Sequence, residues 1–152
     1  MNRRTTLAAV IALTAGLALA GCSSDSSDAE PDLKIGQAFM PEPLNADMAG
    51  GFLVVKNEGK AADKLTKVTS PLADDVTIHE TKNQKMREVK SFDVPAGGEL
   101  DLERGGSHIM FMGLKKKPKQ GEKVSIELHF EKAGRVEVDL PVKETTYNPK
   151  HH

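Results

Sequence analysis

The chain has 152 residues, 38% of them hydrophobic, and this length suits one small domain once any processed segment is set aside. The formal net charge of −1 gives no reason to expect nucleic acid as a partner. One cysteine in the whole sequence excludes a disulfide framework.

Residues 1–21 have the pattern of an export signal. Two arginines precede an apolar run, Leu7 to Ala20, that is too short for a comfortable membrane span. The run ends in Leu19-Ala-Gly-Cys22, which resembles the lipobox of bacterial lipoproteins. This resemblance implies cleavage before Cys22 and lipidation of its thiol, so that acyl chains anchor the protein to a membrane. The alternative is an ordinary secretory signal that happens to end near a cysteine.

Residues 22–32 are serine-rich and acidic, with almost no apolar side chain after Cys22. Such a composition predicts a flexible tether between the lipid and a folded domain. The domain would then face the periplasm or the cell exterior, in an oxidising compartment. Lipidation of Cys22 would leave no free thiol there.

Residues 33–143 predict an all-β domain, because short β-rich runs alternate with Gly, Pro, Asn and Asp and no helical period is sustained. Strands at this regular spacing favour an antiparallel sandwich or barrel. Residues 144–152 predict a disordered tail, in which His151 and His152 are either weak copper donors or without function. The nine predicted strands are Leu33–Phe39, Gly51–Lys56, Lys64–Thr69, Val76–Glu80, Lys85–Phe92, Glu99–Leu102, His108–Gly113, Lys123–Phe130 and Arg135–Leu140.

Strand parity separates possible metal ligands from core residues. In His108-Ile-Met-Phe-Met112 the histidine and both methionines share one face, and His79 likewise points away from its aliphatic neighbours. Met86 follows a short connection after His79, across a predicted hairpin. Two imidazoles and two thioethers from His79, Met86, His108 and Met110 are neutral, soft-to-borderline ligands that suit Cu(I).

The residue pattern alone leaves a second interpretation open, since a methionine near a strand is more often a flexible core filler than a ligand. Met112 is either an auxiliary ligand or packing. Met40 and Met48 flank a proline-rich loop and are interpreted as packing, and His129 as a surface residue.

From Met48 onward the sequence resembles the bacterial copper chaperone family PCu(A)C. The family's copper motif is a His, a Met, twenty-one residues and then His-x-Met, and here Arg87 to Ser107 are the twenty-one residues between Met86 and His108. The matching segments are residues 50–57, 68–72, 76–81, 86–89, 94–98 and 105–114, within a resemblance that covers residues 33–142.

The resemblance implies a cupredoxin-like Greek-key fold that binds Cu(I) through His79, Met86, His108 and Met110. It also implies a recipient, either the CuA-bearing subunit of cytochrome c oxidase or another assembly factor. One departure is that six residues separate His79 from Met86, fewer than the family commonly has, and Glu80 follows His79 where some members have a second Met. We expect a shortened hairpin in which His79 and Met86 still face each other.

The sequence lacks the residues that several other functions require. Blue-copper and CuA electron carriers need cysteine ligands, and no Ser-His-Asp arrangement or phosphate loop is visible, so we expect a protein that is not an enzyme. Two alternatives to a copper chaperone stay open: a copper buffer or resistance protein, and a metal-free surface binding module.

Two flanking features have expected roles in a copper carrier. Ile109, Phe111 and Leu114 are expected to supply an apolar surround for the ion. The loop Lys115–Lys119 is interpreted as solvated, with docking to an acidic partner as the alternative.

Overall fold

The computed structural model describes residues 29–149. The predicted signal segment 1–21, the lipidation site Cys22, most of the tether and the pair His151 and His152 lie outside the described residues. Within residues 29–149, no helix is both long and apolar enough to cross a membrane.

The prediction of an all-β domain is confirmed, since the described chain contains ten strands and no helix. One predicted strand, Lys85–Phe92, is wrong as a unit, because the chain bends at Lys90 and Ser91 and its two halves pair with different strands. The strands are β1 (Leu33–Pro41), β2 (Met48–Asn57), β3 (Asp63–Thr69), β4 (Ala73–Lys82), β5 (Lys85–Val89), β6 (Phe92–Val94), β7 (Glu99–Leu102), β8 (His108–Leu114), β9 (Lys123–Phe130) and β10 (Gly134–Lys143).

The strands pair in the order β5-β4-β8-β2-β1-β10-β9-β3-β6, and β7 also pairs with β2. All of these pairings are antiparallel except the one between β1 and β10, which is parallel at Met40 and Val142. β1 pairs with β2 from Leu33 to Phe39, with an irregularity between Gly36 and Phe39 where Gln37 has a φ of +50°, and then with β10 at Met40 and Pro41. This change of partner joins the β5-β4-β8-β2 half of the fold to the β10-β9-β3-β6 half.

Alternation along β8 places one of its two faces in the core. On β8, Ile109 and Phe111 are fully buried, while the residues between them face the other way. Gly51 on β2 has no room for a side chain, because a Cβ there would lie 2.8 Å from the Phe111 ring and 3.1 Å from Leu140. Phe111 and Leu140 therefore meet from β8 and β10 across the interior. One face of β8 is thus committed to the core, and its opposite face is free for polar and sulfur side chains.

A buried amide holds the loops at the far end of β2. Asn57 Oδ1 accepts hydrogen bonds from the backbone N–H groups of Asp32 and Gly59, at 3.1 and 3.0 Å. Its Nδ2 donates to the carbonyl oxygens of Ala61 and Val94, at 2.8 and 3.4 Å. A buried side chain that satisfies four backbone groups keeps these loops from leaving unpaired polar atoms in the interior.

Residues 144–149, which belong to the predicted tail, contact the domain. The ring of Tyr147 packs edge-on against Phe39 at 5.0 Å. Arg104 donates hydrogen bonds from one guanidinium nitrogen to the carbonyl oxygens of Thr145 and Tyr147, at 2.8 and 2.9 Å. The packed part of the chain therefore extends beyond the predicted domain end at residue 143.

Candidate metal centre

Two histidines form the middle of the candidate centre. His79 on β4 and His108 on β8 are direct partners in the antiparallel ladder. Their rings stack with centroids 5.6 Å apart and planes inclined by 16°. Two imidazoles that bind one ion through nitrogen at about 2.0 Å have centroids roughly 5 to 6.5 Å apart, depending on the angle at the metal. The observed separation of 5.6 Å lies within this range.

Met110 lies on the same face of β8 as His108, and its ladder partners are Thr77 on β4 and Gly50 on β2. Gly50 carries no side chain, and the Phe52 ring takes the space there, since a Cβ at position 50 would lie 3.3 Å from it. The Met110 side chain is partly buried.

Met86 lies on the same face of the sheet but is displaced along it. The hairpin is closed by Asn83 and Gln84, both with positive φ (+51° and +61°), which is typical of a tight type I′ turn. In this register Met86 pairs with Thr81, and His79 pairs with Glu88. The expectation that His79 and Met86 face each other directly is therefore wrong, because the tight turn shifts the partners by two residues.

The His108 ring is oriented by the loop before β8. Its Nδ1–H donates a hydrogen bond to the carbonyl oxygen of Gly106 at 3.0 Å. The Thr81 hydroxyl donates to the same oxygen, also at 3.0 Å. A carbonyl can only accept, so Nδ1 carries the proton and Nε2 keeps a free lone pair. Metal-binding histidines are commonly oriented by such a bond from the other ring nitrogen.

The His79 ring leaves one nitrogen without a partner. Its Nε2 lies 2.9 Å from the hydroxyl of Thr77. Its Nδ1 is buried and has no hydrogen-bond partner among the described residues. A buried polar nitrogen without a partner is costly unless something binds it. The unpaired nitrogen makes His79 a candidate donor to a cation.

The surroundings of the centre differ from the expectation. Ile109 and Phe111 are buried on the opposite face of β8 and cannot line the centre, because alternate residues of a strand point to opposite sides. The apolar wall is Phe52 instead, whose ring centroid is 6.4 Å from that of His108. An open depression of about 250 Å³ beside it is lined by Gly50, Phe52, Thr81, Arg104, Gly105, Gly106, His108 and Met110.

The remaining donors are distributed as follows. Met40 is fully buried, which confirms its interpretation as packing, but Met48 is 50% exposed, so its assignment to packing is wrong. Met112 is partly buried on the face of His108. His129 lies on β9 in the other half of the fold, 2.9 Å from a carboxylate oxygen of Glu127.

Glu88 is the ladder partner of His79 and shares its face, but two other charged features near the motif point elsewhere. Glu80, which follows His79, lies on the other face of β4 and forms an ion pair with Arg87. The lysine loop begins after Leu114, at the end of β8 remote from His108. Within this loop Lys116 and the backbone N–H of Lys119 contact Glu122, and these contacts lower the pKa of that carboxyl, the backbone contact contributing most.

Sequence reasoning missed Met48, Phe52, Thr81 and Gly106 as parts of this face. Met48 was missed because β2 was predicted to begin at Gly51, whereas it begins three residues earlier. No three His, Cys, Asp or Glu side chains of residues 29–149 gather in a metal-binding group.

Comparison with solved structures shows the same fold. The chain superposes on the copper-bound PCuAC domain from PmoF2 with a TM-score of 0.66 and 26% identity, covering 74% of this chain and 92% of that domain. For the Cu(I) form of DR1885 from Deinococcus radiodurans the TM-score is 0.64 and the identity 29%, with 82% and 87% of the two chains covered. The apo PCuAC domain from PmoF1 gives 0.68 and 26%, with 74% and 93% covered. These likenesses confirm the cupredoxin-like β fold.

Comparison of sequences gives the family. A putative lipoprotein of Leifsonia xyli subsp. xyli, Lxx21020, is 36% identical over 154 aligned positions, which cover 93% of this chain and 89% of that protein. The family model described as "Putative lipoprotein LpqE-like" matches residues 33–142, the whole strand-bearing part of the chain up to the last residue but one of β10. The chain belongs to the LpqE-like family of putative lipoproteins.

Proposed function

We propose that this protein is an extracytoplasmic carrier of Cu(I), held at a membrane by its lipidated Cys22, that delivers copper to a protein acceptor and is not an enzyme. The ligands are His79, Met86, His108 and Met110. The acceptor is the CuA site of cytochrome c oxidase or an assembly factor that serves it.

The observation that carries this proposal is the pairing of His79 with His108. Two residues 29 positions apart in sequence are brought into one ladder pair, with rings 5.6 Å apart. The Gly106 carbonyl accepts from Nδ1 of His108, which leaves the lone pair on Nε2 of that ring free. Nδ1 of His79 is buried and has no hydrogen-bond partner among the described residues. Met110 is next to them on the same face.

The likeness to proteins solved with copper supports the choice of metal. Two of the structurally similar proteins were solved in copper-bound form, and one of these is a Cu(I) complex. Thioether and imidazole ligands favour Cu(I) among biological metals and avoid the oxidation to which an exposed thiolate is subject. Such a site binds copper less tightly than thiolates do, so an acceptor with cysteine ligands would draw the ion away.

The placement at a membrane is supported by the sequence and by the family. The Leu19-Ala-Gly-Cys22 segment has the pattern of a lipoprotein signal, and a relative 36% identical is named a lipoprotein. A lipid anchor followed by the polar segment 23–32 would keep the domain near a membrane-bound acceptor and raise its effective concentration there.

Copper binding is tested by titration of the chain from residue 23 onward with Cu(I) against a competing chelator. This chain retains every described strand and lacks the Cys22 thiol, which would compete for the metal. We expect one tightly bound Cu(I) in the unaltered chain and its loss in both His108→Ala and Met110→Ala. Unchanged binding in both variants would reject the carrier and favour a metal-free binding module.

Delivery is tested separately by mixing the Cu(I)-loaded chain with an apo CuA domain. Transfer is followed by competition and by the absorption of the assembled CuA centre once it is oxidised. We expect the Cu(I) to move from the carrier to the CuA domain. Retention of copper by the carrier, with full binding in the titration, would favour a copper buffer.

A further inference from the structure

A second pair of sulfur ligands lies beside the candidate centre. Met48 on β2 and Met112 on β8 are direct partners in the antiparallel ladder. The residues next to them, Asp47 and Gly113, are joined by a backbone hydrogen bond, in which the Gly113 N–H donates to the carbonyl oxygen of Asp47 at 2.9 Å. Hydrogen-bonded and non-hydrogen-bonded pairs alternate in such a ladder, so Met48 and Met112 form a non-hydrogen-bonded pair, the kind whose side chains are closest.

Neither side chain of this pair is needed by the hydrophobic core. Met48 is 50% exposed and Met112 is partly buried, and both point away from Ile109 and Phe111. An exposed methionine on a sheet contributes little hydrophobic stabilisation to the fold, whereas its thioether remains available as a soft ligand. The Met48 side chain is therefore half exposed at the surface, and the Met112 side chain is partly covered on the same face, outside the core.

A carboxylate completes the row across three strands. Asp75 on β4 is the ladder partner of Met112, and its side chain is exposed on the face that carries His79. The order Met48, Met112, Asp75 thus places two thioethers beside one negative charge. A monovalent cation held there would be neutralised by the carboxylate.

We propose that Met48 and Met112 form a second position for a soft monovalent cation, with Asp75 as the charge-balancing neighbour. The position is distinct from the centre at His79 and His108, which contributes none of these three residues. Two thioethers select Cu(I) over Zn²⁺ and Mg²⁺ and bind it weakly.

The second position passes Cu(I) on to the main centre at His79 and His108, and this role, unlike the binding itself, rests on the proposed function. Met110 lies two residues from Met112 on the same face, about 7 Å along the strand. The long Met110 side chain reaches both positions. An ion held by Met48 and Met112 can therefore bind the Met110 sulfur before it leaves the Met48 sulfur. Transfer is then a ligand exchange in which copper stays Cu(I) and no electron or proton moves.

The test is a titration of the chain from residue 23 with Ag(I), a redox-inert soft cation, followed by NMR of ¹³C-labelled methionine methyl groups. Five methionines remain in this chain: Met40, Met48, Met86, Met110 and Met112. Met86 and Met110 report the main centre, Met48 and Met112 the second position, and buried Met40 serves as an internal control.

We expect the Met48 and Met112 signals to shift together, with one midpoint, after the main centre is filled. They should also shift in a His79→Ala/His108→Ala variant in which the main centre is lost. In the Met48→Leu variant the second equivalent should bind at least about tenfold more weakly, the smallest loss seen when even an outer partner of a metal site is removed. Met40→Leu is the matched control and should leave both midpoints unchanged.

The outcomes separate this inference from the proposed function. Shifts confined to Met86 and Met110 would overturn the second position and leave the copper carrier intact. Shifts confined to Met48 and Met112 would support the second position and reject the main centre. Equal shifts at Met40 would mean that silver perturbs the whole fold, which overturns the assignment to this pair.

Discussion

Thr81 and His108 donate hydrogen bonds to the same oxygen, the carbonyl of Gly106, each at 3.0 Å. This shared acceptor ties β4 to the loop before β8 and sets which nitrogen of His108 is free for a metal. Thr81→Val should weaken Cu(I) binding by less than the 10- to 100-fold typical when the direct partner of a metal-ligating side chain is lost, because the Gly106 carbonyl that accepts from His108 remains. Competition titration of the chain from residue 23 measures it.

The control for Thr81 is Thr66→Val, on β3 in the other half of the fold. The Thr66 hydroxyl also donates to a backbone carbonyl, that of His129 at 3.0 Å, so the same chemistry is removed far from the centre. Equal copper affinity in the two variants would contradict an orienting role for Thr81.

The two methionine ligands should contribute unequally. Met86 is 53% exposed and is offset from His79 by the hairpin register, whereas Met110 is partly buried beside His108. An exposed, flexible side chain gives up more rotamer freedom when it is fixed to a metal, a cost of about 1.5–2 kcal/mol for methionine. We expect Met110→Leu to lower Cu(I) affinity more than Met86→Leu in parallel competition titrations. The reverse order would mean that the hairpin moves toward the ion on binding.

Asn57→Ala should destabilise the fold without touching the centre. It leaves buried N–H and C=O groups without partners at the end of β2, and each such group costs about 1–3 kcal/mol. Thermal unfolding should show a lower Tm, whereas copper affinity at temperatures where the variant is folded should not change. Asn148→Ala, at an exposed amide near the end of the described chain, is the control. A Tm equal to that of the control would contradict the structural role of Asn57.

Neutralising the lysine loop should separate binding from delivery. The triple variant Lys115→Gln, Lys117→Gln and Lys119→Gln changes exposed side chains at the end of β8 opposite to His108. Copper affinity should therefore stay the same, while transfer to an acidic acceptor surface should slow and lose its dependence on salt concentration. An equal effect on affinity and on transfer rate, measured by stopped-flow mixing, would reject docking through this loop.

Local pattern was sufficient to predict the faces of the strands. Because side chains alternate along a strand, the sequence around His108 placed Ile109 and Phe111 in the core and left Met110 and Met112 outside. The same reasoning turned His79 away from Ile78. These faces needed no knowledge of which strands are neighbours, and the structure agrees with them.

Partner strands and register could not be read in this way, since they depend on contacts between distant segments. Tertiary structure alone pairs His79 with His108, shifts Met86 to Thr81 through a two-residue turn, and splits the run after Met86 between two halves of the fold. It also brings Met48 beside Met112, although 64 positions separate them in sequence. The residues by themselves determined that His79, His108, Met110 and Met112 face away from the core, because side chains alternate along a strand; the packing of β4, β8 and β2 exposed Met48 and decided which of these donors are neighbours.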